Sequence, residues 1–266
     1  MKQAVPTQQR YGPWAAVVGA SDGIGAAFAE ALAARGLDVV LVARRAAPLE
    51  ALAARLKSVH NVRTRALAAD AGTAAGIEAI AAAPEEIGLL VVNAALDPIG
   101  PFDDLAPSDL DAMVDLNCRA AAQLSHAFGG AMLARGRGGV ILMSSMASLQ
   151  GSAVVAHYAA TKAYLRVLAE GLWYEWRPAG VDVLACCPGL VRTPTYDRAS
   201  PRPGRLVPPP MKPEAVAAAA LAALGRRPVV VPGRRNRVSA ALAQWLPRRA
   251  AIALVSRQTT FMFRRS

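Results

Sequence analysis

Short, continuously apolar runs recur along this chain with helix-length segments between them. Ala15–Val18, Val39–Val42, Leu89–Val92 and Val140–Met143 are the clearest; Arg65–Ala68, Val181–Cys186 and Val229–Val231 complete the series. A strand that is apolar on both faces has to be covered on both, which is the condition of a parallel strand inside an open sheet. The segments Ile24–Ala34, Ala47–Val59, Ala74–Ala82, Leu110–Leu133, Tyr158–Trp176 and Glu214–Leu224 read as the covering helices. Strand-helix alternation of this length implies right-handed βαβ crossovers. The expectation is an α/β fold: one doubly wound parallel sheet over residues 1–233, followed by a basic, amphipathic helical extension over 234–266. The chain has 266 residues and a hydrophobic fraction of 54%, enough to bury a large core without disulfide staples.

The charge is unevenly placed. The net +11 arises after residue 199, where thirteen basic residues face the single acid Glu214; the preceding part is about neutral. An anionic partner is therefore to be sought at the tail. Three cysteines, Cys118, Cys186 and Cys187, make no disulfide framework and fit a reducing cytosol. Met1 to Gln9 is polar, without the apolar core of a secretory signal. No apolar run approaches the ~18–20 residues of a membrane span. A cytoplasmic protein is expected, with peripheral contact at the inner membrane face as the alternative the tail suggests.

The first apolar run leads directly into Gly19-Ala20-Ser21-Asp22-Gly23-Ile24-Gly25 and then a helical segment. Glycines there allow a tight turn and a close approach of backbone amides to a pyrophosphate, which the helix N-terminus then faces. The second run ends Val42-Ala43-Arg44-Arg45. An acid at this point would take a ribose 2′-hydroxyl; arginine suits a 2′-phosphate. NADP(H) is the expected cofactor, with Arg44 the better placed of the two arginines and Asp22 a mild counterweight. Asp70, after the third run, is a candidate partner for the adenine. Tyr158 and Lys162 stand at i and i+4, on one helix face; an ammonium there would lower the phenol's pKa and fit it for acid-base work. Ser145 lies thirteen residues before Tyr158, at a strand's C-terminal end, where open sheets meet their ligands.

In order and spacing, Gly19-x3-Gly23-x-Gly25, Asn117, Ser145, Tyr158/Lys162 and Pro188-Gly189 resemble the classical short-chain dehydrogenase/reductase family, over about Trp14 to Gly233. The resemblance implies a Rossmann fold and an NADP-dependent oxidoreductase. Tyr158 would donate the proton to a carbonyl oxygen, Ser145 would hydrogen-bond that oxygen, and Lys162 would hold the nicotinamide ribose and depress the Tyr158 pKa. Asn117 would hold a water that relays protons to Lys162, and Thr193 would contact the carboxamide. Ser144 is the adjacent alternative to Ser145. Trp14–Gly25 and Val39–Arg45 look closest to the branch of 17β-hydroxysteroid dehydrogenases and very-long-chain 3-oxoacyl-CoA reductases, in a bacterial, soluble form. That branch implies a lipophilic ketone or secondary alcohol as substrate, and the family a homodimer or homotetramer. Two segments depart from the family pattern. Val18 stands where it has Thr, and Val92-Asn93-Ala94-Ala95 replaces Asn-Asn-Ala-Gly. Of that segment Asn93 remains a cofactor-site candidate, while the changes put cofactor affinity in question.

Other features carry less. His60 and His126 have no clustered ligand partners, so no metal is expected. No G-x-S-x-G elbow is present, which removes the hydrolase reading. His157 reads as a satisfied structural histidine or a pocket wall. Trp173, Tyr174 and Trp176 read as core or subunit interface. Arg192–Lys212 is long for a loop and reads as a lid over the site or a surface excursion. The tail can lie on an anionic membrane, cap the pocket or pair with another subunit; no nucleic-acid motif accompanies its charge. The reading from another class is a cofactor-binding sensor or scaffold without turnover.

Overall fold

The alternation of apolar runs becomes a seven-stranded, wholly parallel sheet. The computed structural model describes residues 7–202 and 207–263. Its strands are β1 (Trp14–Val18), β2 (Asp38–Ala43), β3 (Thr64–Ala68), β4 (Ile87–Val92), β5 (Gly138–Met143), β6 (Val181–Cys186) and β7 (Val229–Val230), in the order β3-β2-β1-β4-β5-β6-β7. The order reverses at β1 and β4, so the crevice for a ligand opens beyond their C-terminal ends.

Strand periodicity explains why the runs are apolar throughout. Ala15 and Val17 enter one buried cluster, with Phe28, Leu32, Leu49 and Leu56. Ala16 and Val18 enter the other, with Ile80, Leu124, Met132 and Leu165. Successive side chains point to opposite faces, so each residue of β1 is needed by one helix layer or the other. The first layer is α2 (Gly23–Ala33), α3 (Ala46–His60) and α9 (Pro213–Ala223); the second is α4 (Ala74–Ala81), α6 (Ala120–Arg135) and α7 (Ala156–Trp176).

Several elements differ from the sequence expectation. The third run is not buried on both faces: β3 is an edge strand, half exposed along its length. β7 keeps two residues, because only Val229 and Val230 find partners on β6. The helix expected over Leu110–Leu133 is α5 (Pro107–Val114) and α6, joined through a π turn at Asp115–Arg119. A short helix, α1 (Thr7–Tyr11), precedes the sheet. It is anchored by Tyr11, whose hydroxyl donates to Asp182 Oδ2 at 2.7 Å, beside an Arg10–Asp182 ion pair at 2.6 Å.

The expected loop Arg192–Lys212 contains α8 (Pro194–Ala199) and is pinched at its base by a Val191–Met211 bridge. The tail forms two helices, α10 (Arg234–Trp245) and α11 (Arg248–Phe263), broken at Leu246-Pro247. α11 folds back onto the segment before α7. Ala153 N donates to Ser256 Oγ at 3.1 Å, and Ser152 and Thr259 hydroxyls meet at 2.7 Å. Among the described residues, no helix is long and apolar enough to cross a membrane.

Candidate active site

One cavity of about 1090 Å³ lies beyond the C-terminal ends of the strands. Of the candidate catalytic and cofactor residues named from the sequence, all but Gly25 and Asn117 line it. One part is the glycine turn. Gly19 adopts a φ of +88°, and a Cβ there would stand 2.5 Å from the Ala94 nitrogen. The turn is thus pressed against the end of β4, and Asn93 Nδ2 donates to Gly19 O at 3.0 Å. Gly25 supports the turn from behind the wall: a Cβ would fall 1.9 Å from Gly19 O. Ser21, Gly23 and Ile24 line the cavity where α2 begins, so backbone N–H groups and the helix dipole face an incoming anion.

The two departures at the sheet are an apolar exchange. Val18 and Val92 are register partners on β1 and β4 and are both buried in the second cluster. The tie between the strands is kept by backbone and by Asn93: Asn93 N and Ala94 N both donate to Val18 O. Ala95 is exposed on the cavity wall.

Arg45 pairs with Asp22 at 3.0 Å. The Asp22 charge is therefore offset within the loop, and Arg44, exposed at the cavity rim, makes no ion pair among the described residues. Asp70 accepts from Gly72 N at 2.9 Å, which orients its carboxyl at the end of β3.

The candidate reactive groups come from the end of β5 and from α7. Ser144 and Ser145 separate cleanly. Ser144 is buried and donates to Lys162 O at 2.7 Å, fastening α7 to the end of β5. Ser145 Oγ accepts from Ala147 N at 3.1 Å and lies close enough to Tyr158 to favour its phenolate. Lys162 is buried, donates to Met143 O at 2.9 Å, and sits 5.6 Å from the Tyr158 ring centre. Burial pulls the Lys162 ammonium down to about 8, against the opposing pull of Asp97.

The expected lowering of the Tyr158 pKa does not occur here. Burial, then the charge of Asp97, raises the phenol above its ordinary value, and Ser145 alone acts the other way. Lys162, whose ammonium donates to Met143 O, is not among the groups that shift it. Asp97 was not visible as a site residue. It follows the Asn93–Ala95 segment, lines the cavity, and is raised by burial while Lys162 and Arg198 draw it down. Nothing in a lone Asp before a proline marks it; its importance comes from where β4 ends.

The Asn117 side chain is held by Leu96 and Thr161. Its amide accepts from Leu96 N and donates to Leu96 O, both at 2.8 Å, and donates to Thr161 Oγ1 at 3.0 Å. It clamps the strand exit to α7, from the middle of the π turn. Thr193 caps α8, accepting from Tyr196 N at 3.2 Å. Pro188 O accepts from Met146 N, and Gly189 is packed under Asn236 of α10, where a Cβ would lie 2.9 Å from Asn236 Oδ1. His157 binds Leu110 O at 3.1 Å and takes no part in the cavity wall.

The far wall is supplied by α8 and the tail. Tyr196, Leu242, Leu246, Leu254, Val255 and Met262 make it largely apolar. Sequence periodicity could not assign this role, because it depends on the break at Pro247 turning α11 back over the sheet.

The short chain dehydrogenase profile matches residues 13–203. The chain belongs to the short-chain dehydrogenase family. It is an oxidoreductase. A 7beta-hydroxysteroid dehydrogenase of Clostridium sardiniense is 32% identical over 232 residues, covering 86% of this chain and 89% of its own. A very-long-chain 3-oxoacyl-CoA reductase of Anas platyrhynchos is 32% identical, covering 71% and 65%. A human protein described as an inactive hydroxysteroid dehydrogenase-like protein 1 is also 32% identical, covering 70% and 58%. A 7beta-hydroxysteroid dehydrogenase structure, studied for stereoselectivity, superposes with a TM-score of 0.87 at 28% identity, covering 94% of this short-chain dehydrogenase and 99% of that chain. A Sphingobium yanoikuyae short-chain dehydrogenase in complex with NADPH superposes at 0.75 with 31% identity, covering 88% and 96%.

Proposed function

We propose that this short-chain dehydrogenase transfers hydride between NADP(H) and a bulky lipophilic ketone or its secondary alcohol. The observation that carries the reading is the meeting of Ser145, Tyr158 and Lys162 with the Gly19–Gly25 turn in one cavity whose far wall is apolar. The site fits the cofactor. The turn leaves no room for side chains at Gly19 and Gly25, the start of α2 faces the cavity, and Arg44, where β2 ends, has no ion-pair partner among the described residues. Bound NADPH would supply the hydride. Ser21, Gly23, Ile24 and Asn93 would hold the pyrophosphate end, Arg44 the 2′-phosphate, Asp70 the adenine, and Pro188, Gly189 and Thr193 the nicotinamide side.

In reduction, Tyr158 holds its proton until charge develops on the carbonyl oxygen, and then donates it. A phenol raised by burial suits that direction, because it stays protonated at neutral pH. Ser145 hydrogen-bonds the same oxygen and afterwards steadies the phenolate. Lys162 would hold the ribose, and it supplies positive charge below about pH 8. Asn117 acts as a positioning residue, fixing Leu96 and therefore the approach of Asp97 to Tyr158 and Lys162. The bulk of the cavity and the 7beta-hydroxysteroid dehydrogenase relatives favour a steroid-like or 3-oxoacyl substrate. Buried thiols at Cys186 and Cys187 suit a reducing cytoplasm. The tail, residues 234–266, works as an extension of the catalytic domain, residues 1–233, that closes the substrate end.

The sensor reading draws support from the inactive human relative. It is disfavoured here because Ser145, Tyr158 and Lys162 are all present and converge. NADPH and NADH consumption measured against a panel of aliphatic, aryl and steroid ketones tests the proposal. Turnover of bulky ketones with NADPH is expected. NADPH binding without turnover of any ketone would favour the sensor, and equal use of NADH would remove the assignment of Arg44.

A further inference from the structure

The tail has an outer face that hydride transfer does not use. On α10, Val238, Leu242 and Trp245 fall at i, i+4 and i+7, one helical stripe, and they are 58%, 63% and 87% exposed. Leu246, Ile252, Leu254 and Phe261 add exposed apolar area on the same pair of helices. Arg234, Arg235, Arg237, Arg248, Arg249 and Arg257 are exposed there as well, and none forms an ion pair among the described residues. No Asp or Glu follows Glu214 anywhere in the sequence.

We propose that the α10–α11 face docks on an anionic lipid bilayer, with the Val238–Leu242–Trp245 stripe in the interface and the arginines on the headgroups. An exposed indole flanked by apolar side chains suits the headgroup boundary, and arginines beside it suit anionic lipid. A second copy of the chain fits poorly: a two-fold contact sets the same patch against itself, placing arginines opposite arginines with no acid to relieve them. Nucleic acid would use the charge but leave the apolar stripe unpaired. The docking surface also adjoins the cavity, because Leu242, Leu246 and Leu254 line its wall as well as being exposed. A lipophilic ketone dissolved in the bilayer would thus enter beside the docked face. That consequence rests on the function proposed above; docking itself does not.

The full chain is to be co-sedimented with phosphatidylcholine vesicles, with and without phosphatidylglycerol, at low and high salt. Two variants avoid the cavity wall: R235E/R249E and V238S/W245S. Melting temperature and NADPH binding show that each is folded. Binding is expected to require phosphatidylglycerol and to fall with salt. R235E/R249E should lose at least about 25-fold in affinity, at roughly five-fold per arginine, and V238S/W245S should also bind weakly. The proposal is overturned by equal binding to both vesicle types or by no binding at low salt. Retained binding in both variants also overturns it, as does a change in oligomer mass in place of a change in vesicle binding, which would make the face a subunit contact. Vesicle binding is read without turnover, so its failure is separate from failure of the redox reading.

Discussion

At Lys162 and Asp97 the chemistry is set by burial more than by the tyrosine-lysine spacing. Lys162 keeps its charge only below about pH 8. A lysine whose pKa is pulled down is charged on the acid side of that value, so kcat/KM for ketone reduction should fall as pH rises through about 8. Asp97 raises both Lys162 and Tyr158. Asp97→Asn should therefore move the alkaline limb of the pH profile to lower pH, and an unmoved limb would show that Asp97 does not face these groups in the working enzyme. At the other end, a guanidinium-phosphate hydrogen bond contributes about 1.5–3 kcal/mol. Arg44→Ala should raise the KM for NADPH about 10- to 100-fold, a range that follows from this energy, and leave NADH nearly unchanged. Equal losses for both cofactors would assign Arg44 to the fold of the loop.

Among the elements, the segment between β5 and α7 carries a β-branched residue in a strained conformation. Val154 has a φ of +59°, and its carbonyl accepts from Gly100 N at 2.9 Å. A β-branched residue in this conformation costs about 1–2 kcal/mol, whereas glycine's extra chain entropy costs roughly 0.5–1 kcal/mol. The first is the larger, so Val154→Gly should leave the melting temperature unchanged or slightly higher, the reverse of an ordinary valine-to-glycine change. A clear fall in a thermal melt would mean that Val154 packing outweighs its strain. The same scale separates what the sequence revealed from what it concealed. The central strands were legible because apolar residues without alternation have few other uses. The turn at Gly19–Gly25 and the pair Tyr158/Lys162 were legible because their spacing is local. Asp97, Asn236 and the apolar wall on α11 were not, because each acquires its role through a contact distant in sequence: the end of β4, the Pro188-Gly189 turn, and the fold-back after Pro247. The direction of the Tyr158 shift was concealed for the same reason, since burial is not a property of spacing.

On the scale of the whole molecule, the outer surface of α7 presents exposed apolar and aromatic side chains. Tyr164, Val167 and Tyr174 are exposed along it, Tyr174 at 79%, and Gly171 between them has open space above its backbone. These side chains suit a helix-to-helix subunit contact, distinct from the basic tail, which leaves the tail face available. Tyr174→Glu together with Val167→Glu should shift the assembly to a smaller species in sedimentation; an unchanged mass would place the subunit contact elsewhere. The account as a whole rests on Tyr158 as the proton donor in a site built for NADPH. The most direct test is Tyr158→Phe, with NADPH binding and ketone reduction measured on the same preparation. Binding is expected to persist while turnover falls at least about 100-fold, the lower end of what a positioned acid contributes. Reduction at the wild-type rate by that variant would contradict the account.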